Sequence, residues 1–294
     1  MRIVCKDLSF SYSREKKNAD HALNNLSLTI EEGEFFGIIG QTGSGKSTFI
    51  QHLNALYPLQ SGELLVGDYD LDPKKKGYKK MLKELRGKVG MVFQYPEYQL
   101  FADSVYADVA FGVKNFFPSL SEKEVTMRVG DALTAVGLDY NSVKDASPFD
   151  LSGGQKRRVA IAGVLATSPE ILVLDEPVAG LDPVGKKELM RLLKNWLNDK
   201  RTVIIVSHDM DEVCENCTRV AAFGGGKVIK CGTPQEVFTE SLNSSRLSLP
   251  LAARIKNALL KSSGVELDCS LSTEDLIDEI ERVYKKAKSQ KVGL

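Results

Sequence analysis

The sequence predicts an α/β fold built on a parallel sheet covered on both faces, with a helical block inserted into it. Three observations carry this. Short apolar runs such as FFGII (35–39), ILVL (171–174), TVIIV (202–206) and RVAAF (219–223) are separated by helix-like stretches, the pattern of buried parallel strands joined by crossover helices. A glycine-rich loop, GQTGSGKS (40–47), directly follows FFGII. Between about 103 and 167 the periods lengthen and the alternation stops, which places a helical subdomain there.

Taken in order, the first hundred residues supply strands at LSFSY, FFGII, ELLV and KVGMVF, bounded by Gly, Asp and polar turns. A helix starts near Lys46, after the glycine loop. Residues 74–88, KKKGYKKMLKELRGK, hold eight basic residues and one acid. Such a run is a solvated helix face or a contact for anionic lipid headgroups. Next comes FQYPEYQLF (93–101), with Phe93 in the strand and Tyr95, Tyr98 and Phe101 at i, i+3 and i+6. A short helix would put these rings roughly on one side and Glu97 off it. They are core, ligand site or partner surface. Ser121 and Glu124 have capping-box spacing at the head of a helix, and GGQKRRVAIAGVLA reads as another. Strands resume at ILVL, TVIIV, RVAAF and KVIK. PVGKKELMRLLKNWLND (183–199) is an amphipathic helix with Pro183 near its start.

After about residue 240 the character changes. SLNSSRLSLP (241–250) is linker-like, and PLAARIKNALLKS and STEDLIDEIERVYKKAK read as two helices. The second has Ser272 and Asp275 in capping-box spacing and Leu276, Ile277, Ile280, Val283 and Tyr284 on one face. Two such helices are too small for a core of their own, so their apolar faces must meet the main domain or a second copy.

Composition narrows the function classes. The 294 residues are 43% hydrophobic and 27% charged, with a formal net charge of zero. That is an ordinary globular balance with no overall charge bias toward nucleic acid. No apolar run approaches the roughly 18 residues of a membrane span, and MRIVCKDLSF lacks a signal-peptide core. The expectation is a cytosolic or membrane-peripheral protein. Five cysteines are too scattered for a disulfide framework. Cys214 and Cys217 form a C-x-x-C inside DMDEVCENC, which looks helical and has no second ligand pair.

The chemistry lies in three motifs. GQTGSGKS fits G-x-x-x-x-G-K-[ST] between a strand and a helix. Its glycines let successive N–H groups converge on phosphate oxygens, and the helix dipole faces the same anion. Gly40, Gln41, Thr42, Gly43, Ser44, Gly45, Lys46, Ser47 and Thr48 are the candidate nucleotide contacts. Lys46 would reach the β- and γ-phosphates, and Ser47 would ligate magnesium. ILVLDE ends a buried strand in two carboxylates. Asp175 would hold the metal, usually through water, and Glu176 would act as general base. LSGGQ (151–155) opens a helix with Ser152, Gly153, Gly154 and Gln155, a second anion-binding terminus about 105 residues after the first. Two such surfaces on one chain make sense if the nucleotide is sandwiched between two chains.

This set, with Gln94, AGLDP (179–183) and His208 in VSHD, resembles the ATP-binding cassette (ABC) ATPases over residues 1 to about 240. The resemblance implies a P-loop NTPase fold of ABC type: a mostly parallel core sheet, an antiparallel N-terminal β subdomain, a helical subdomain at about 95–167, and a helical extension at 241–294. It also implies that Tyr12, 28 residues before Gly40, stacks on adenine. Gln94 senses magnesium and water, Asp182 couples the two sites of a dimer, and His208 holds the γ-phosphate. Val178 departs from the Ser or Thr frequent after DEP.

The interval between the phosphate loop and LSGGQ has no heptad array and no zinc ligands, which argues against the DNA-repair type. A single cassette argues against the translation type. VFQYPEYQLF, Thr42 and LSGGQKRRVAIAG together resemble the second ATPase type of energy-coupling-factor (ECF) vitamin and metal importers; another ABC importer is the alternative. That resemblance implies ATP and Mg2+ as cofactors and a second homologous ATPase, with a heterodimer expected and a homodimer the alternative. It further implies a transmembrane coupling protein, a substrate-binding membrane protein, no nucleic acid, and a peripheral place on the cytoplasmic membrane face. Tyr95, Glu97, Tyr98 and Phe101 would then line a groove for a helix of the coupling protein, with an arginine pairing Glu97. The tail would make a dimer contact. The transported substrate leaves no mark on this chain.

Overall fold

The computed structural model describes residues 1–13, 21–197, 201–238, 249–268 and 271–292. Most of the linker-like stretch 241–250 lies outside the described residues.

Two sheets form the body. The first is antiparallel, in the order β2-β1-β4-β5, from β1 (Ile3–Phe10), β2 (Leu23–Ile30), β4 (Ser61–Val66) and β5 (Tyr69–Asp70). The second has the order β10-β9-β3-β8-β7-β6. It comprises β3 (Phe35–Gly40), β6 (Val89–Val92), β7 (Ile171–Asp175), β8 (Thr202–Val206), β9 (Arg219–Gly224) and β10 (Lys227–Gly232). All its pairings are parallel except β9 with β10 at the edge. This is the predicted architecture.

Alternation explains why the sheet is buried on both faces. Phe36, Ile38, Ile171, Val173, Ile204 and Val206 pack toward the antiparallel sheet and α1 (Lys46–Leu53). Their neighbours Phe35, Ile39, Leu172, Leu174, Val203 and Ile205 pack against the helices between β6 and β7 and the helices after β7. The former are α3 (Val105–Phe116), α4 (Glu122–Ala135), α5 (Tyr140–Val143) and α6 (Gly153–Leu165). The latter include α7 (Pro183–Trp196), α8 (Met210–Asn216) and α9 (Pro234–Phe238). The basic run forms α2 (Tyr78–Lys88), with Leu85 buried beneath it.

Both capping boxes in this region close. Ser121 and Glu124 satisfy each other's amides at the head of α4, and Ser152 and Gln155 do so at the head of α6, each worth about 1 kcal/mol.

The structure departs from the sequence reading in several places. β1 runs over Ile3–Phe10 rather than LSFSY, and Tyr12 lies beyond it. β6 stops at Val92, whose last partner is Leu174, so Phe93 is outside the strand. Only Pro96–Gln99 is helical in the aromatic segment, and it is a 3-10 turn. Tyr95 caps it at φ 55° and Leu100 is already extended. Residues three apart eclipse in a 3-10 turn, so Tyr95 and Tyr98 sit with ring centroids 6.1 Å apart. Phe101 falls outside the turn and instead meets Phe111 of α3 edge-to-face at 4.9 Å. The predicted single-sided array is therefore two aromatic pairs.

The tail helices α10 (Leu251–Ser263) and α11 (Thr273–Val292) pack on each other through Ala252, Leu267 and Leu276, with Ile255, Leu259 and Val283 partly buried beside them. Ala253 and Leu271 join the main core, and the Leu251 amide donates to Asp211 Oδ1 of α8 at 2.7 Å. The predicted apolar face of α11 splits. Leu276 and Val283 turn inward, while Ile277, Ile280 and Tyr284 are exposed.

Candidate active site

The glycine loop joins β3 to α1 at the carboxyl edge of the parallel sheet, where ligands of such sheets bind. Glycine is obligatory at Gly45: φ is 101°, and a Cβ there would lie 2.4 Å from the Ala22 carbonyl oxygen. Lys46 Nζ donates to the carbonyls of Gly40 (2.8 Å) and Gln41 (3.0 Å), folding its ammonium back over the loop. Burial lowers its pKa, and the charges of Glu176 and Asp175 oppose that shift. Ser44 Oγ is buried with no partner. An orphaned hydroxyl in a loop of converging amides fits a phosphate oxygen.

Asp175 is the last residue of β7 and is buried. Burial raises its pKa, a hydrogen bond with Ser47 opposes this, and the Glu176 charge adds to the rise. Two neighbouring carboxylates and a hydroxyl form a hard oxygen set with excess negative charge, and these residues fit a magnesium ion. Glu176 follows at φ 50°, and its amide donates to Val206 O at 2.9 Å. His208, just past β8, brings Nδ1 to 2.7 Å from Glu176 Oε2. Tyr12 is 60% exposed, held by its hydroxyl to Thr48 Oγ1 at 2.7 Å and edge-on to Phe10 and Tyr57. Gln94 is exposed, two residues past β6.

The remaining predicted residues belong to another group. A cavity of about 920 Å³ is lined by Glu97, Gly153, Gly154, Arg157 and Asp182, among others. Ser152 and Gln155 spend their polar groups on each other. Gly153 and Gly154 have ordinary φ and open space where a Cβ would sit. Asp182 Oδ1 accepts from Gly185 N at 2.7 Å and so caps α7. Glu97 Oε2 is buried without a partner, facing the charge of Arg157.

Arg157 itself was not singled out by sequence. It is buried, and its guanidinium donates to Ala179 O at 2.6 Å and to Pro177 O. It thereby clamps the segment that follows Glu176. Its position four residues before Ile161 on the buried face of α6 was the available signal. At Cys214 and Cys217 burial raises both thiol pKa values, Cys214 to about 12.

A phosphate loop on a parallel sheet, a strand-end Asp-Glu pair, a histidine against the glutamate and a glycine-headed helix define an ATP-binding cassette. The family described as ABC transporter matches residues 23–179, and the chain belongs to it. It is 44% identical over 276 residues to the energy-coupling factor transporter ATP-binding protein EcfA2 of Clostridium tetani, covering 93% of each chain. It is 43% identical to the EcfA2 of Clostridioides difficile, covering 97% of this chain and 98% of that one. Among solved structures, cbiO1 of Clostridium perfringens, part of the ABC transporter complex cbiONQ, superposes with a TM-score of 0.71 at 39% identity. That match covers 87% of this chain and 98% of the other. A dimeric ATP-binding cassette in a post-hydrolysis state with ADP and Pi gives a TM-score of 0.70 at 29% identity, over 79% and 98% of the two chains.

Proposed function

We propose that this chain is the ATP-hydrolysing subunit of an ECF-type importer, driving uptake of a vitamin or metal ion through separate membrane subunits. The observation that carries the chemistry is the Glu176 carboxylate, set beside Lys46 and Asp175 and in contact with His208. The similarity to EcfA2 proteins carries the transport assignment.

In this proposal Tyr12 stacks on adenine, and Lys46 leaves the Gly40 and Gln41 carbonyls for the β- and γ-phosphates. Loop residues 40–48 supply amides and hydroxyls to the phosphates. Ser47, Gln94 and Asp175 hold magnesium, which when bound would neutralise charge developing on the phosphate oxygens. Glu176 takes a proton from the attacking water, and His208 holds the γ-phosphate. Ser152, Gly153, Gly154 and Gln155 meet the nucleotide held by a second ATPase subunit, and Asp182 links the two sites. The open space above Gly153 and Gly154 supports this: nothing among the described residues requires glycine there, whereas a phosphate approaching from a second subunit would. ATP favours the closed pair of cassettes over the open pair, so binding closes the dimer and hydrolysis reopens it.

The expected partners are a second homologous ATPase in a heterodimer, a transmembrane coupling protein and a substrate-binding membrane protein, with this subunit peripheral on the cytoplasmic face. Among the described residues no helix is long and apolar enough to cross a membrane. The cassette is assigned to 1–240 and the dimer-contact extension to 241–294. The groove for the coupling protein is assigned to Tyr95, Glu97, Tyr98 and Phe101. The unpartnered Glu97 oxygen and the exposed rings support it.

Glu176→Gln in the assembled complex should keep ATP binding and lower turnover by about 100-fold or more. Undiminished turnover would remove Glu176 as the base. Glu97→Lys should weaken assembly with the membrane subunits and leave ATP affinity unchanged. Intact assembly would refute the groove assignment.

A further inference from the structure

Glu212 lies outside the proposed nucleotide contacts. It sits in the first turn of α8, is 8% exposed, and keeps one oxygen, Oε1, buried without a partner. Its other oxygen, Oε2, accepts from Ser207 Oγ at 3.0 Å. Burial pushes the carboxyl up to about 7, the Ser207 hydrogen bond opposing and the Asp209 charge adding to the rise. A buried carboxyl with an idle oxygen is a poor choice for stability, since an apolar side chain would avoid the desolvation. Its connections explain the choice.

Ser207 is fully buried. It donates to Glu212, accepts the Asp209 amide on the same oxygen at 3.1 Å, and donates its own amide to Ile38 O of β3 at 3.2 Å. Asp209 accepts the Glu212 amide at 3.2 Å and pairs with Lys186 of α7 at 3.2 Å. The residues flanking His208 are thus fastened to β3, α7 and α8. The His208 ring between them is 75% exposed and reaches Glu176. Without the Glu212 carboxyl, the Ser207 hydroxyl loses its acceptor in a sealed site, and the residue before His208 loses its tie to α8, leaving only the Asp209 cap on the other side.

We propose that Glu212 is a positioning residue for hydrolysis: through Ser207 it fixes the backbone on which His208 meets Glu176 and the γ-phosphate. The inference rests on the proposed role of His208.

The test is steady-state ATPase activity of the full-length chain assembled with its partner subunits. Glu212→Ala should lower kcat about tenfold or more while leaving KM for ATP within about twofold, because the interaction acts on the transition state and not on nucleotide binding. Glu212→Gln keeps an acceptor oxygen for Ser207 and should bring kcat back to within about threefold of the parent. Ser207→Ala should match the loss of Glu212→Ala, and the double variant should lose no more than either alone. A kcat for Glu212→Ala within twofold of the parent, an equal loss appearing in KM, or losses that multiply in the double variant would each overturn the proposal. Should Glu212→Ala fail to fold, Ser207→Ala carries the test alone, and a kcat within twofold of the parent overturns it. His208→Ala with parental kcat would remove the role of His208 and this inference with it. An inactive His208→Ala beside a fully active Glu212→Ala would remove the inference only.

Discussion

Glu176 adopts φ 50°, a conformation few non-glycine residues take. It is held there by the hydrogen bond from its amide to Val206 O and by the Arg157 clamp on Pro177 and Ala179 just after it. Such conformations persist where the surroundings over-determine them, and they cluster at functional sites. Lys46, Asp175 and Glu176 were legible because each belongs to a motif whose spacing is set by a strand end and a loop. Glu212 was not legible, because an acid in the first turn of a helix has an ordinary explanation in the helix dipole. Its burial, a tertiary fact, makes it testable. Its folded pKa of about 7 lies above the ordinary 4.5. The folded state therefore binds the extra proton between these values. The stability linked to this proton is fully present below about pH 4.5 and is lost as pH rises through about 7. The charges of Asp209 and Glu176 oppose the ionised form, and Lys186 favours it. Unfolding of the chain and of Glu212→Gln, measured between pH 5 and 8, should show the parent losing stability relative to the variant as pH rises. The total is on the order of 3 kcal/mol. Parallel stability curves would show that the carboxyl does not titrate in this window.

At the scale of elements, caps and long apolar strands were readable and local irregularities were not. The Ser121 box and the strands β3, β7 and β8 follow from short patterns that tertiary structure leaves intact. β2 was missed because its inward residues are Leu23, Leu26, Leu28 and Ile30, a break in period two. The break is a bulge: Asn25 sits at φ 48°, and the register shifts between the Leu8–Leu26 and Phe10–Leu23 pairs. The aromatic segment misled for a related reason. Its i, i+3, i+6 spacing suits a longer helix, but the turn ends at Gln99. The head of α6 offers a direct test of what its glycines serve. At Gly153 an added Cβ meets nothing among the described residues within 4 Å, and alanine loses less conformational freedom on folding than glycine. Gly153→Ala should therefore unfold at the parental temperature or above it. In the assembled complex its ATPase activity should fall about tenfold or more, because under the proposed sandwich the methyl would occupy the space of the neighbouring subunit's nucleotide. Unchanged activity would mean that nothing approaches this face closely.

At the scale of the molecule, the two sheets and the helices between β6 and β7 fix where chemistry and output lie. Both Glu176 and the aromatic turn follow adjacent strands of one sheet, β7 and β6, so a change at the nucleotide has a short rigid path to the proposed partner groove. The order of motifs in the sequence carried this arrangement. The tail was harder to read, because two amphipathic helices do not say which faces meet each other. In the structure Leu276 and Val283 close the α10–α11 pair, and Ala253 and Leu271 dock it on the main core. That leaves Ile277 at 53%, Ile280 at 37% and Tyr284 at 66% exposure along one side of α11. None of the three belongs to the apolar cluster that closes the tail, and a second ATPase subunit would cover their exposed parts under the proposed dimer contact. Ile277→Gln combined with Ile280→Gln preserves helix propensity and leaves Leu276 and Val283 in place. The double variant should unfold with the parent yet weaken association of the two ATPase subunits, measured without nucleotide, by about tenfold or more. Equal association would show that the exposed stripe is not the contact. Leu276→Ala alone should by contrast loosen the tail, since that side chain closes the α10–α11 pair.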